Sequence, residues 1–199
     1  MVARPDFKSS AAAVAVAVVP PDPRPCMSRD PSSPQSPHGA AGPLGLPLAT
    51  RRICVHDHSE AHPTPPADQQ QLVNLLHLAL PQVLAARGTG QAPLPSLAEI
   101  EISLLDDPAL AAVHRDFLND PAPTDVITFH HGEILISTET AVREAAQRGD
   151  LPLREITLYA IHGLLHLHGH NDAEAADRAI MHATQDRILQ SVWPRPAIA

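Results

Sequence analysis

The chain has 199 residues and a formal charge of −8, and it lacks any run of about 18 apolar residues. This excludes a transmembrane helix and argues against a protein that holds nucleic acid through a broadly basic surface. Cys26 and Cys54 form neither a metal-ligand spacing nor a disulfide framework, which fits a reducing compartment and a cytoplasmic location.

The length suits one domain plus an extension. Residues 1–49 are rich in Pro, Ala, Ser and Gly without a lasting period, and they read as a disordered extension. The run Ala11–Val19 faintly resembles a signal peptide, but it contains no leucine and leads into Pro20-Pro21. The first 50 residues hold four basic and three acidic side chains, so the acidity belongs to the remainder.

From residue 50 to 199 a single domain is expected. Ile53 and Val55 alternate with polar residues in a short strand over Arg52–His56. Leu72, Leu75, Leu76, Leu80 and Val83 mark an amphipathic helix over Asp68–Arg87. Glu99–Leu105 alternates as a second strand. Asp107 reads as the cap, and Pro108 as the first residue, of a helix that runs to about Leu118. Val126–Phe129 and Glu133–Ser137 form a hairpin about Gly132. Thr138–Arg148 is a helix that ends at Gly149. Asp150 and Pro152 start a further helix whose apolar residues fill most of its circumference, so it is largely buried. Ala173–Ser191 is the last helix, with Ala176, Ile180, Ala183 and Ile188 or Leu189 inward; Met181 and Trp193 read as packing residues. Strands and helices interleave. The fold class is therefore α/β (α+β), a mixed sheet of about four strands packed with some five helices.

The buried helix carries His162 and His166, four residues apart and one turn from each other on the same face. That spacing aims two imidazoles at one point, as in helical zinc sites. Gly169 can take the left-handed conformation that turns the chain back, and Asp172 follows where a returning chain can supply a third ligand. Two nitrogens and one carboxylate leave a fourth position open, the catalytic pattern for one Zn²⁺ ion. Two competing readings stand beside this one: a pair of satisfied core histidines, and Asn171 or Asp172 as a cap of the next helix. His168 and His170 read as surface or packing residues, with a role beside the metal or in RNA contact as the alternative, and His130 and His131 as an exposed turn. Asp125 is a candidate for orienting a histidine, with a local Asx turn as its alternative.

The metal stretch and the hairpin together resemble the YbeY family of bacterial endoribonucleases. Of its motif H-G-x-L-H-L-x-G-x-D-H this chain keeps His162, Gly163, Leu165, His166, Leu167 and Gly169. The signature P-T-D-V-L-S-F is met by Pro123-Thr124-Asp125-Val126-Ile127-Thr128-Phe129, and the segment after it by Gly132-Glu133-Ile134-Leu135-Ile136-Ser137. The resemblance covers residues 50 to 191. It departs at Asn171-Asp172, where the family has Asp-His, and at Leu118, where the family has an arginine that contacts the RNA phosphate. Arg115, one helical turn away, is the residue placed to substitute for it.

The resemblance implies a single-strand-specific, metal-dependent endoribonuclease. It would act in ribosomal RNA processing, at the 3′ end of 16S rRNA, and in ribosome biogenesis and quality control. Its partners would be ribosomal RNA and the small subunit, with no membrane. The catalytic residues would be His162, His166, Asp125 and Arg115, and the zinc ligands His162, His166 and Asp172. A zincin-like metallopeptidase is the second reading, although Gly163 stands where such an enzyme has its glutamate, so Glu133 or another distant carboxylate would have to supply the base. A ribosome-associated module that binds metal without turnover is the third. A clustered surface of Arg51, Arg52, Arg115, Arg143 or Arg154 would favour the nuclease.

The tail has no pattern able to bury a core, so deleting residues 1–48 should leave the melting temperature almost unchanged. Thermal unfolding followed by circular dichroism checks this; loss of cooperative unfolding would place the domain boundary earlier.

Overall fold

The computed structural model describes residues 51–118 and 124–193, except the side chain of Leu118. The expected extension over 1–49 lies outside the described residues.

Ten elements follow one another: β1 (Arg52–Asp57), α1 (Pro66–Ala85), a single 3-10 turn (Leu94–Ser96), β2 (Glu99–Leu105), α2 (Asp107–Leu118), β3 (Val126–Thr128), β4 (Glu133–Ser137), α3 (Thr138–Arg148), α4 (Pro152–Leu167) and α5 (Ala175–Val192). The four strands form one sheet in the order β1-β2-β4-β3. β1 pairs parallel with β2, and β2 with β4, in registers that set Ile53 beside Ile100 and Ile102 beside Ile134. β3 closes the edge antiparallel to β4, with Ile127 opposite Leu135. This is the mixed four-stranded sheet with five α-helices that the interleaved patterns predict.

The sheet is covered on both faces. Val126, Ile134 and Ile136 join Ile100, Ile102 and Leu104 in the main core beneath α1 and α4. Ile127, Phe129 and Leu135 point the other way and pack with Leu110 of α2. The alternation within β3 and β4 is the period-two rule at work. α4 is the central helix: fourteen of its sixteen residues are buried, from Leu153 to Leu167. No helix among the described residues is long and apolar enough to cross a membrane.

Two sequence expectations change. Asp107 lies within the first turn of α2, but its carboxylate serves α3. It accepts hydrogen bonds from Ser137 Oγ, from Thr140 Oγ1 at 2.9 Å and from Arg143 Nη1 at 3.2 Å. In return the Asp107 N–H donates to Glu139 Oε2 at 2.7 Å, so the two helix starts are tied to each other. Spacing along one helix cannot reveal a partner supplied by another. On α5, Ala176, Ile180 and Ala183 face solvent, and the inward stripe is Met181, Gln185, Ile188, Leu189 and Val192. That stripe has the helical period, but it contains a polar residue, so counting apolar side chains alone shifts the phase by one position. Met181 is buried and Trp193 packs against the core, as predicted.

Burial pushes the Asp107 carboxyl up, but the hydrogen bonds from Ser137, Thr140 and Arg143, with the Arg143 charge, hold it below the usual carboxylate range. A depressed carboxyl stabilises the fold above its unfolded value of about 3.9, and that contribution is lost as pH falls through the lower folded value. Asp107→Asn should therefore lower the melting temperature at neutral pH, and its difference from the parent should shrink below about pH 4. A melting series from pH 7 to pH 3 reads this directly.

Candidate metal centre

Three donors converge where α4 ends. His162 and His166 present their Nε2 atoms to each other at 2.9 Å. Asp172, carried back by the turn, places Oδ2 3.6 Å from His162 Nε2 and Oδ1 3.9 Å from His166 Nε2. One ligand atom from each residue falls within a 4.8 Å cluster that could hold a metal ion. All three residues are buried.

The turn that returns Asp172 is built as glycine allows. Gly169 has φ +90°, and the N–H of His170 donates back to Leu165 O at 3.0 Å, so the last carbonyls of α4 are satisfied. The same turn carries His170 O, which accepts from His166 Nδ1 at 3.1 Å. His162 Nδ1 donates to Gln185 Oε1 at 2.8 Å.

These two bonds test the fit of a cation. Each neutral imidazole has a single N–H, and both Nδ1 atoms face an acceptor. The two Nε2 atoms are left with lone pairs pointing at one another beside a carboxylate. Lone pairs held that close repel unless a proton or cation sits between them, so the donor set suits a divalent metal. Burial, with the neighbouring His162, holds His166 well below its ordinary pKa, which keeps it in the neutral form that can bind metal.

Behind the turn lies the segment after α1. Gly88 N–H donates to His168 O at 3.1 Å and Gly90 N–H to Gly169 O at 2.8 Å. A Cβ on Gly88 would meet Gly169 O at 2.1 Å, so only glycine permits this approach. His168 and His170 reach across to α1, donating from Nε2 to Leu84 O at 3.1 Å and to Ala86 O at 2.5 Å. His168 is buried and His170 half-buried. Asn171 Oδ1 accepts from Ala173 N at 3.2 Å, which tightens the turn while leaving Asp172 free for the cluster.

Asp125 lies just before β3, within electrostatic reach of His162 and Asp172. Burial pushes its carboxyl above the usual range and Asp172 adds to that, whereas His162 and the N–H groups of Asp125 and Val126 pull the other way. Arg115 is exposed on α2, with its Nε on Asp116 Oδ1 at 2.9 Å. The five arginines that the sequence offered as a basic surface are each engaged locally. Arg51 is buried and bonds Leu94 O, while Arg52, Arg143 and Arg154 pair with Glu99, Asp107 and Asp150. His131 is half-buried, stacked on Phe129 at 5.5 Å and 3.3 Å from Glu133.

Two residues at the cluster escape the sequence reading. Gln185 is one, and the helical phase of α5, traced back from Ile188 and Leu189, would have found it. Arg178 is the other: Nε donates to Asp172 O at 2.8 Å and Nη2 to Ala173 O at 2.8 Å, which clamps the returning loop. No spacing in the sequence announces it.

A sequence model of the family described as Endoribonuclease YbeY matches residues 58–193. Proteins of that name are similar in sequence. The one from Moorella thermoacetica is 33% identical over 145 residues, covering 63% of this chain and 90% of its own length. The one from Cutibacterium acnes is 30% identical over 145 residues, covering 64% and 87%. A solution structure from Thermotoga maritima aligns with a TM-score of 0.47 at 20% identity, over 71% of this chain and 88% of that one.

Gly163 lets α4 lie on the hairpin. A Cβ there would meet two carbon atoms of Ile134 at 2.8 Å and Thr128 Oγ1 at 2.9 Å. Ile134 is fully buried, so it would have to shift within the core. Gly163→Ala should cost about 2–3 kcal/mol by overpacking, more than the roughly 1 kcal/mol that alanine gains over glycine in a helix. Urea unfolding of the two proteins measures the difference.

Proposed function

The chain belongs to the Endoribonuclease YbeY family, and on that premise we propose that it is a metal-dependent endoribonuclease of ribosomal RNA processing. The single observation that carries the reading is the convergence of His162 Nε2, His166 Nε2 and Asp172 with both Nδ1 atoms already bonded. The proposed substrate is single-stranded RNA at the 3′ end of 16S rRNA on the small subunit, in the cytoplasm, and the proposed ion is one Zn²⁺. Asp172 takes the place that a histidine holds in the family motif; carboxylate oxygens suit zinc as well as imidazole does. Residues 50–199 form the catalytic domain, and 1–49 an extension outside it.

A zinc ion held by these three residues would supply Lewis-acid polarisation of a phosphoryl oxygen. The protein's own groups supply the rest. Asp125, whose carboxyl lies within electrostatic reach of His162 and Asp172, is the proposed further acidic group of the site; both histidine Nδ1 atoms are bonded elsewhere, so it does not orient a ring through Nδ1. Arg115 is exposed and, among the described residues, pairs with its neighbour Asp116. Such a surface pair is worth about 0–1 kcal/mol, so its guanidinium can exchange that partner for a phosphate. With Leu118 in place of the family arginine and a net acidic chain, phosphate contacts would fall to few cations, and turnover should be slow.

The peptidase reading is disfavoured by packing as well as by sequence. Its glutamate would have to stand at position 163, where even a Cβ is too close to Ile134 and Thr128.

The full chain should cut a single-stranded 16S fragment slowly, and chelator should stop it. His166→Ala and Asp172→Ala should lose the cleavage, and Asp172→His should keep it. Gel analysis of the RNA, with casein as a parallel substrate, reads the outcome. Chelator-sensitive cleavage of casein with none of RNA would overturn the assignment.

A further inference from the structure

α5 turns one polar side chain into the core. Gln185 lies on the buried stripe among Met181, Ile188, Leu189 and Val192 and is 3% exposed. Burying an amide costs free energy unless its atoms find partners. An aliphatic side chain of similar volume would serve packing alone. The bond made here, from His162 Nδ1 to Gln185 Oε1 at 2.8 Å, is therefore what distinguishes glutamine at this position.

A neutral imidazole can carry its proton on either nitrogen, and neighbouring acceptors decide which. His162 has competing acceptors at its two ends. At Nδ1 stands Gln185 Oε1. At Nε2 stand His166 Nε2, 2.9 Å away, and the Asp172 carboxylate, 3.6 Å away. With no acceptor at position 185 the proton belongs on Nε2, where it would bridge to His166 or Asp172 and close the cluster to a cation. His166 faces the same kind of competition at its Nε2, but its Nδ1 acceptor is the main-chain oxygen of His170, which no substitution removes. The competition is thus settled at a single side chain, carried by a different helix from the histidines.

We infer that Gln185 is the positioning residue of this cluster: its amide oxygen draws the His162 proton to Nδ1 and leaves Nε2 free for a divalent cation. The inference rests on the metal reading of the cluster and adds that cation affinity depends on the seating of α5 against α4. Removing a partner of this kind from a metal-bound histidine lowers metal affinity or activity by about 10–100-fold in general.

The test compares the full chain with Gln185→Met and Gln185→Glu. Methionine keeps the bulk and removes the acceptor; glutamate keeps the acceptor and adds a charge. Co²⁺ is titrated by its visible absorption, which reports ligand geometry, and Zn²⁺ by competition with a chromophoric chelator. The expected result is a loss of about 10–100-fold in affinity and an altered Co²⁺ spectrum for Gln185→Met, with parent-like or tighter binding for Gln185→Glu. A packing role demands the reverse order, since methionine suits an apolar pocket and a buried carboxylate does not. Parent-like affinity and spectrum in Gln185→Met would overturn the role of Gln185 while leaving the metal site intact. A parent that binds neither ion would overturn the metal reading itself. Should Gln185→Met fail to fold, Gln185→Glu decides alone: binding ten-fold or more weaker than the parent overturns the inference, and retained binding supports it.

Discussion

Helix α4 has to bury two imidazoles among aliphatic side chains, and each neutral ring brings an N–H that must find an acceptor away from bulk water. The fold meets this demand from two directions. His166 is served by the chain immediately after it, through His170 O, and His162 by α5, through Gln185. Once both N–H groups are placed, the remaining lone pairs have one common direction. The chemistry of the site follows from how the core satisfies its polar atoms.

Close backbone approach is the second condition. Gly163 brings α4 down onto β3 and β4, and Gly88 and Gly90 bring the segment after α1 against the Gly169 turn. A side chain at Gly88 or Gly163 would push apart surfaces whose separation sets the cluster. His168 and His170 then pin the turn to the end of α1, and Arg178 holds the loop that carries Asp172. The side-chain cluster is thereby fixed to three helices, which is the support that a metal site of the kind proposed would need to keep its geometry.

The electrostatics are less expected. The chain is acidic, and Arg51 and the arginines of β1, α2, α3 and α4 named above are tied to neighbouring acids or carbonyls. For the proposed RNA substrate, such an arrangement favours local recognition at the cluster over long-range steering.

The sequence by itself determined the strands, the helices and the pairing of His162 with His166, because backbone periodicity is local. Residues three or four apart share a helix face, and alternate residues share a strand face. Gly169 as the turn and Asp172 as the residue it returns were legible for the same reason. What only the tertiary structure decided is which partner each buried polar group meets. Gln185 lies 23 residues from His162, and Leu84 lies 84 residues from His168. Asp107 spends its carboxylate on a helix that begins some thirty residues later. The inward phase of α5 can be counted back from Ile188 and Leu189, but not the partner that its polar member Gln185 meets. A hydrogen bond to a buried group is made by whichever element packing brings within about 3 Å, and no period along the chain encodes that distance.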